Sequence, residues 1–112
     1  MDVFAIFASR VAAALRHLYP EVGEEALSRL VVEPPRDPAH GDLSTNAAMV
    51  VAKPLGKNPR EVATALARHF GADEDVIAAE VAGPGFLNFR IADHLWLEVL
   101  RSVGREGADF GR

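Results

Sequence analysis

Two short runs of β-forming residues on either side of a Gly-Pro-Gly turn constrain the fold of this chain more than any other feature. Val76–Val81 and Phe86–Ile91 are rich in apolar side chains, and Gly83, Pro84 and Gly85 stand in the turn between them. A link this short joins antiparallel neighbours, because parallel strands need a crossover of about a dozen residues or more. The pattern therefore predicts a β hairpin and disfavours parallel βαβ wiring.

The N-terminal segment has the spacing of an amphipathic helix. Its apolar side chains recur every three or four residues and so form one stripe. They are Phe4, Phe7, Val11, Leu15 and Leu18. This predicts a helix over Val3–Leu18, since Pro20 keeps the preceding residue out of the helical region. A short acidic helix over Glu24–Arg29 and a brief strand over Leu30–Glu33 are expected to follow.

A proline-rich loop over Pro34–Asp42 separates these elements from two further helices. After a short strand at Leu43 and Ser44, we expect Ser44 or Thr45 to cap a largely buried helix that ends before Gly56. The next helix should begin with Asn58 as cap and Pro59 in its first position, and should end at Gly71. Its inward stripe is Val62, Leu66 and Phe70.

This order of elements predicts an α+β fold: a two-layer domain with helices packed on a small antiparallel sheet. A last helix is expected over Asp93–Val103, so the domain should span residues 1–103. Three glycines in residues 104–112 are typical of a linker. The residues expected to be largely buried are Phe4, Phe7, Leu66, Leu87, Phe89 and Trp96.

Composition and motif spacing argue against several kinds of site. The chain has no cysteine, which excludes disulfides, thiolate zinc sites and a cysteine nucleophile. Gly56-Lys57 lacks the upstream glycine of a phosphate-binding loop, and the hairpin turn lacks the GxGxxG spacing. His40 lies near Asp37 and Asp42, but a proline-braced turn accounts for these residues. We therefore expect no catalytic residue and no metal site here.

The charge pattern bears on partners. With 12 Lys and Arg against 16 Asp and Glu, the net charge of −4 argues against a free-standing, non-specific nucleic-acid binder. Between Arg29 and Arg68 basic residues outnumber acidic ones, which is typical either of a local basic patch or of a mixed solvated surface. Neither a secretory signal nor an apolar run of about 18 residues occurs, so a cytoplasmic protein without membrane contact is expected.

The second hairpin strand contains the most informative side chains. Because strand residues alternate between faces, Leu87, Phe89 and Ile91 should point into the core, and the residues between them should point outward. That outward set is Phe86, Asn88 and Arg90. An aromatic ring can stack on a base, an amide can bond to a base edge and arginine can hold phosphate. The alternative is that Phe86 packs under the terminal helix and Asn88 is ordinary strand surface.

Four sequence blocks, in order and with matching spacing, carry a resemblance to a known family. They are Pro35–Pro38, His40–Met49, Ala52–Arg60 and Ala82–Phe89. Through them nearly the whole chain resembles the N-terminal domain of arginyl-tRNA synthetases. The resemblance implies a domain placed before a class I catalytic core, with the tRNA for arginine as partner at the outer corner of the L.

The resemblance also implies a role for two of the outward residues. In the family an aromatic and an amide on this strand hold a D-loop base, and Phe86 and Asn88 match them. The aromatic is often tyrosine, so Phe86 keeps stacking but lacks a hydroxyl. The candidate RNA-binding set also includes Gly83 and Gly85 of the turn. Arg90, Lys53, Lys57 and Arg60 are added as candidate phosphate contacts.

Two signatures of a class I synthetase do not occur in this chain. No histidine opens a HIGH-type motif, and no KMSKS-like loop is present. The sites for ATP with magnesium, for arginine and for the anticodon are therefore expected in a catalytic core beyond residues 104–112, with that core as a partner. The chain alone is expected not to aminoacylate. The alternative function is a structural or protein-interaction module, in which protein would cover Phe86.

Overall fold

Four strands form one antiparallel sheet in the computed structural model, which describes residues 2–95. The strands are β1 (Val32–Glu33), β2 (Leu43–Thr45), β3 (Val76–Ala82) and β4 (Phe86–Ile91). Their order across the sheet is β1-β2-β4-β3, so β4 lies between two neighbours. The predicted hairpin is confirmed as β3 and β4, which pair from Val76 opposite Ile91 to Ala82 opposite Phe86.

The helices lie against one face of this sheet. They are α1 (Val3–Leu18), α2 (Glu24–Leu27), α3 (Ala47–Leu55) and α4 (Pro59–Phe70), and a single 3₁₀ turn spans Pro38–His40. Both α3 and α4 contact β4, which confirms the two-layer α+β prediction. Within residues 2–95 no helix is long and apolar enough to cross a membrane. Most of the predicted helix over Asp93–Val103, with Trp96, and the predicted linker at 104–112 lie outside the described residues.

The core forms where the helical stripes meet the inner face of the sheet. The Phe89 ring centroid lies 5.6 Å from that of Phe7 on α1 and 4.9 Å from that of Phe70 on α4. Leu66 and Leu87 are fully buried as well, as expected. Phe4 is only partly buried, so that expectation is wrong. The buried stripe of α1 instead includes Val3 with Phe7, Val11, Ala14 and Leu15, which leaves Phe4 on its flank.

The start of α3 differs from the expected capping. Thr45 is the last residue of β2, so Asn46 takes the N-cap position, and the expectation of Ser44 or Thr45 as cap is wrong. The Thr45 hydroxyl still accepts a hydrogen bond from the Ala47 backbone N–H, at 3.2 Å. Asn46 Oδ1 accepts a bond from the Val31 backbone N–H at 2.7 Å. The amide of Asn46 therefore joins α3 to the chain before β1.

Candidate nucleic-acid interface

The sheet face opposite the helices carries the outward residues of β4. Leu87, Phe89 and Ile91 are buried in the core, which confirms the predicted alternation. Asn88 lies directly across from Ser44 on β2 and from Glu80 on β3. Residues opposite each other in an antiparallel pair share a face. The outer face therefore combines amide, hydroxyl and carboxylate side chains around β4.

A loop folds over part of this face and turns it into a cleft. The cleft has a volume of about 350 Å³, and Phe86 and Asn88 both line it. Residues 33–37 and His40 contribute one side, and Ala82 and Gly83 of the hairpin contribute another. The strand alternation and the chain topology thus bring the aromatic ring and the amide into one concave site.

Phe86 is unusual for a phenylalanine in a strand because its side chain remains accessible. It is 39% exposed, whereas Phe89, three residues further along β4, is fully buried. The ring also borders a second cleft of about 310 Å³, which includes Val31 and Met49. An aromatic surface open to solvent beside two clefts provides a platform on which a base can stack.

Asn88 has a different environment from Phe86. It is only 8% exposed, so backbone and neighbouring side chains surround most of it. Among residues 2–95, no hydrogen bond joins its amide to another side chain, and no fully buried side-chain nitrogen or oxygen lacks a partner. The Asn88 side chain lines the cleft. An amide has two donors and an acceptor, which suits it to a base edge.

The two arginines of the candidate set are bound to backbone carbonyls. Arg90 Nη2 donates to the Ala39 carbonyl oxygen at 3.2 Å, which attaches it to the loop beside the cleft. Arg60 Nη1 donates to the carbonyl oxygen of Gly83 in the hairpin turn. Both side chains are exposed around these contacts. The structure therefore places Arg60 beside Gly83, which lines the cleft, and Arg90 at the loop.

The two lysines of the candidate set lie elsewhere. Lys57 follows α3, and its Nζ lies 5.6 Å from the ring centroid of Tyr19 at the end of α1. Lys53 is exposed in the last turn of α3. Neither lysine lines the cleft with Phe86 and Asn88. Phosphates bound by these lysines would therefore lie outside the cleft.

The two glycines of the turn have separate positions. Gly83 lines the cleft and has a φ of +54°. Gly85 is buried, with a φ of +148°, and a Cβ there would lie 2.8 Å from Cβ of Pro59 and 3.1 Å from Cγ of Met49. The absence of a side chain at Gly85 thus allows the turn to pack against α3 and α4, and so positions the start of β4.

Several cleft residues were not identified from the sequence as RNA-contacting candidates. Arg36, Asp37 and His40 of the loop and Ser44 of β2 all line the cleft. Asp37 Oδ1 accepts a hydrogen bond from the Ala39 backbone N–H at 2.9 Å, which shapes the turn. These residues are an obvious loop in the sequence, but no local pattern indicates that the loop packs beside β4. Together they make the cleft mixed in charge.

Comparisons with known proteins agree with this architecture. The family model described as the arginyl tRNA synthetase N terminal domain matches residues 5–91. An arginine–tRNA ligase of Brucella ovis is 50% identical over an alignment of 115 residues, which covers all of this chain and 20% of the relative. One from Roseobacter denitrificans is 60% identical over 86 residues, covering 77% of this chain and 15% of the relative.

A solved structure gives the same result at the level of the fold. The arginyl-tRNA synthetase of Thermus thermophilus matches with a TM-score of 0.65 and 27% identity, over 87% of this chain and 15% of that protein. The chain thus spans about a fifth or less of the length of these relatives. On these matches, this chain belongs to the arginyl-tRNA synthetase N-terminal domain family.

Proposed function

We propose that this domain holds the tRNA for arginine at its D-loop, through Phe86 and Asn88, as part of an arginine–tRNA ligase. That ligase would attach arginine to its tRNA with ATP and magnesium in the cytoplasm, and its catalytic core would be the domain's partner within the chain. The relatives named arginine–tRNA ligase support this proposal, because they match the whole of this chain. The chain spans about a fifth of their length, so the proposed catalytic core would lie in the rest of the longer protein.

One observation carries the proposed contact with the D-loop. An exposed aromatic ring and an amide without a described protein partner lie two residues apart on β4 and line the same cleft. Stacking of a base on an aromatic side chain contributes about 1–3 kcal/mol and tolerates every base. Hydrogen bonds to the edge of an unstacked base discriminate between bases. Phe86 would therefore supply affinity and Asn88 would supply selectivity.

The chain offers a matched pair of variants to test this assignment. Phe86→Ala in the full-length ligase should weaken tRNA binding by about tenfold to a hundredfold, because the stacking surface is lost. Ile77→Ala is the control, since Ile77 is 61% exposed on the same hairpin and does not line the cleft. Binding of labelled tRNA by both variants would be measured by fluorescence anisotropy.

Asn88→Ala separates reading of the base from stacking on it. With the cognate D-loop base, this variant should lose affinity, whereas with a substituted base it should bind about as well as the wild type does. Phe86→Ala should instead lose a similar factor with either base. If Phe86→Ala binds tRNA as tightly as Ile77→Ala, the outer sheet face does not contact the D-loop, and docking of protein on that face becomes the better explanation.

A further inference from the structure

The loop that forms one side of the cleft is attached to β4 beyond the point where β2 ends. Backbone pairing between β2 and β4 runs from Thr45 opposite Leu87 to Leu43 opposite Phe89. Asp42 then continues the attachment by other means. Its N–H donates to the Phe89 carbonyl at 2.7 Å, and its Oδ2 accepts from the Ile91 N–H at 2.9 Å. The Asp42 carboxylate thus accepts the hydrogen bond that a backbone carbonyl would accept if β2 continued along β4.

Arg90 makes a second attachment, two residues past Asn88 on the same face. Its guanidinium donates to the Ala39 carbonyl, and the Ala39 N–H donates to Asp37, which lines the cleft. The backbone of Gly41 also lies close to the strand, because a Cβ there would be 2.7 Å from the Phe89 carbonyl oxygen. The strand that carries Phe86 and Asn88 is therefore bonded directly to the opposite side of their cleft.

We infer that Asp42 and Arg90 are positioning residues that hold the Pro34–Asp42 loop in place before RNA arrives. The inference rests on the proposed function and changes the expected role of Arg90, which acts on the loop backbone rather than on phosphate. With the loop held, Arg36, Asp37 and His40 already border the cleft. Binding to a preorganised site avoids the entropy cost of ordering its side chains and loops.

The test uses Arg90→Ala and Asp42→Ala in the full-length protein. Without RNA, backbone amides of the loop should exchange hydrogen faster in both variants, while amides of α4 should be unchanged. Affinity for tRNA should fall by about two- to tenfold. The slope of log affinity against log salt should stay at its wild-type value, because no phosphate contact is lost. Arg29→Ala is the control for loss of charge, since Arg29 is exposed and pairs with Glu25 on α2 at 2.9 Å.

Two results would overturn the inference. If Arg90→Ala lowers the salt slope by roughly 0.7–0.9 and leaves loop exchange unchanged, Arg90 contacts phosphate directly. If the loop exchanges faster but tRNA affinity is unchanged, the attachments serve stability alone. Arg90 is exposed, so Arg90→Ala is expected to fold. This variant therefore tests the inference even if Asp42→Ala does not fold. Hydrogen exchange of the loop is measured without RNA, so it tests the attachments independently of tRNA binding. Failure of the proposed function would be seen in a different experiment, as normal tRNA binding by Phe86→Ala.

Discussion

Gly85 is a residue whose identity the local geometry restricts directly. Its φ of +148° is rarely adopted by other residues, and the position of a Cβ would lie well inside contact distance of Pro59 and Met49. The positive φ and the close Cβ contacts both occur at the residue directly before Phe86. A side chain here would therefore displace the hairpin turn from the helices and move the start of β4.

Gly85→Ala is expected to lower the free energy of unfolding by about 1–3 kcal/mol, the range for a residue held in a strained conformation. Gly23→Ala is the matched control, since no atom lies within 4 Å of a Cβ built there and its φ of −85° suits any residue. Urea denaturation followed by circular dichroism would compare the two. Equal stability of both variants would mean that the turn can shift without cost.

Between elements, an ionic cluster joins α1 to the open end of the hairpin, where β3 begins and β4 ends. Arg10 Nη1 lies 2.7 Å from Asp75 Oδ2 and 3.2 Å from Asp73 Oδ2, just before β3. His94, after β4, places its Nε2 at 2.7 Å from Asp75 Oδ1. The hydrogen bonds from His94 and then from Arg10 lower the pKa of the Asp75 carboxyl below its ordinary value.

The lowered pKa of Asp75 predicts the direction of an acid effect. A carboxyl with a depressed folded-state pKa stabilises the fold above its unfolded pKa, and this contribution is lost as the pH falls through the folded pKa. Asp75→Asn should therefore lower the free energy of unfolding at pH 7. The difference in unfolding free energy between this variant and the wild type should shrink below about pH 4. Urea titrations at several pH values would measure it.

Glu74 provides the control for this acid effect, because it is the exposed neighbour of Asp75. Glu74→Gln should change the unfolding free energy little at any pH. The difference in unfolding free energy between Asp75→Asn and the wild type could instead stay constant from pH 7 to pH 3. That result would show that the charge of Asp75 does not contribute to stability.

At the scale of the whole molecule, the helices and the sheet share one core. The aromatic rings of Phe7, Phe70 and Phe89 come from α1, α4 and β4, and all three side chains are buried. Because each layer covers the other, neither has an independent apolar interior. The chain is therefore expected to fold by itself and to unfold in one cooperative transition, as small single domains usually do.

Two phenylalanines on β4 test this shared core. Phe89→Ala should lower the free energy of unfolding by about 3–5 kcal/mol, because it removes a ring from the centre of the aromatic cluster. Phe86→Ala should change it much less, since that ring is 39% exposed. Differential scanning calorimetry of the isolated chain would measure both. A broad, non-cooperative melt of the wild-type chain would contradict the prediction of an independent fold.

Local sequence patterns were sufficient for the features that depend on neighbours in the chain. The spacing of apolar residues predicted the bounds of α1, and the Asn58-Pro59 pair predicted the start of α4, where Asn58 accepts a bond from the Arg60 N–H at 2.8 Å. Alternation in β4 placed Phe86 and Asn88 on the face opposite Leu87. Helical and strand periodicities are set by backbone geometry over a few residues, so a single sequence reveals them.

The residues that surround the cleft could be identified only from the tertiary structure. The bond from Arg90 to the Ala39 carbonyl joins residues 51 positions apart, and the bond from Ile91 to Asp42 joins residues 49 apart. Nothing in the sequence near Arg90 distinguishes a phosphate contact from a bond to a distant carbonyl. The sequence by itself determined α1, the start of α4, the hairpin and the outward pair Phe86 and Asn88. Packing of distant segments decided what surrounds that pair, because such contacts depend on how the two layers come together in space.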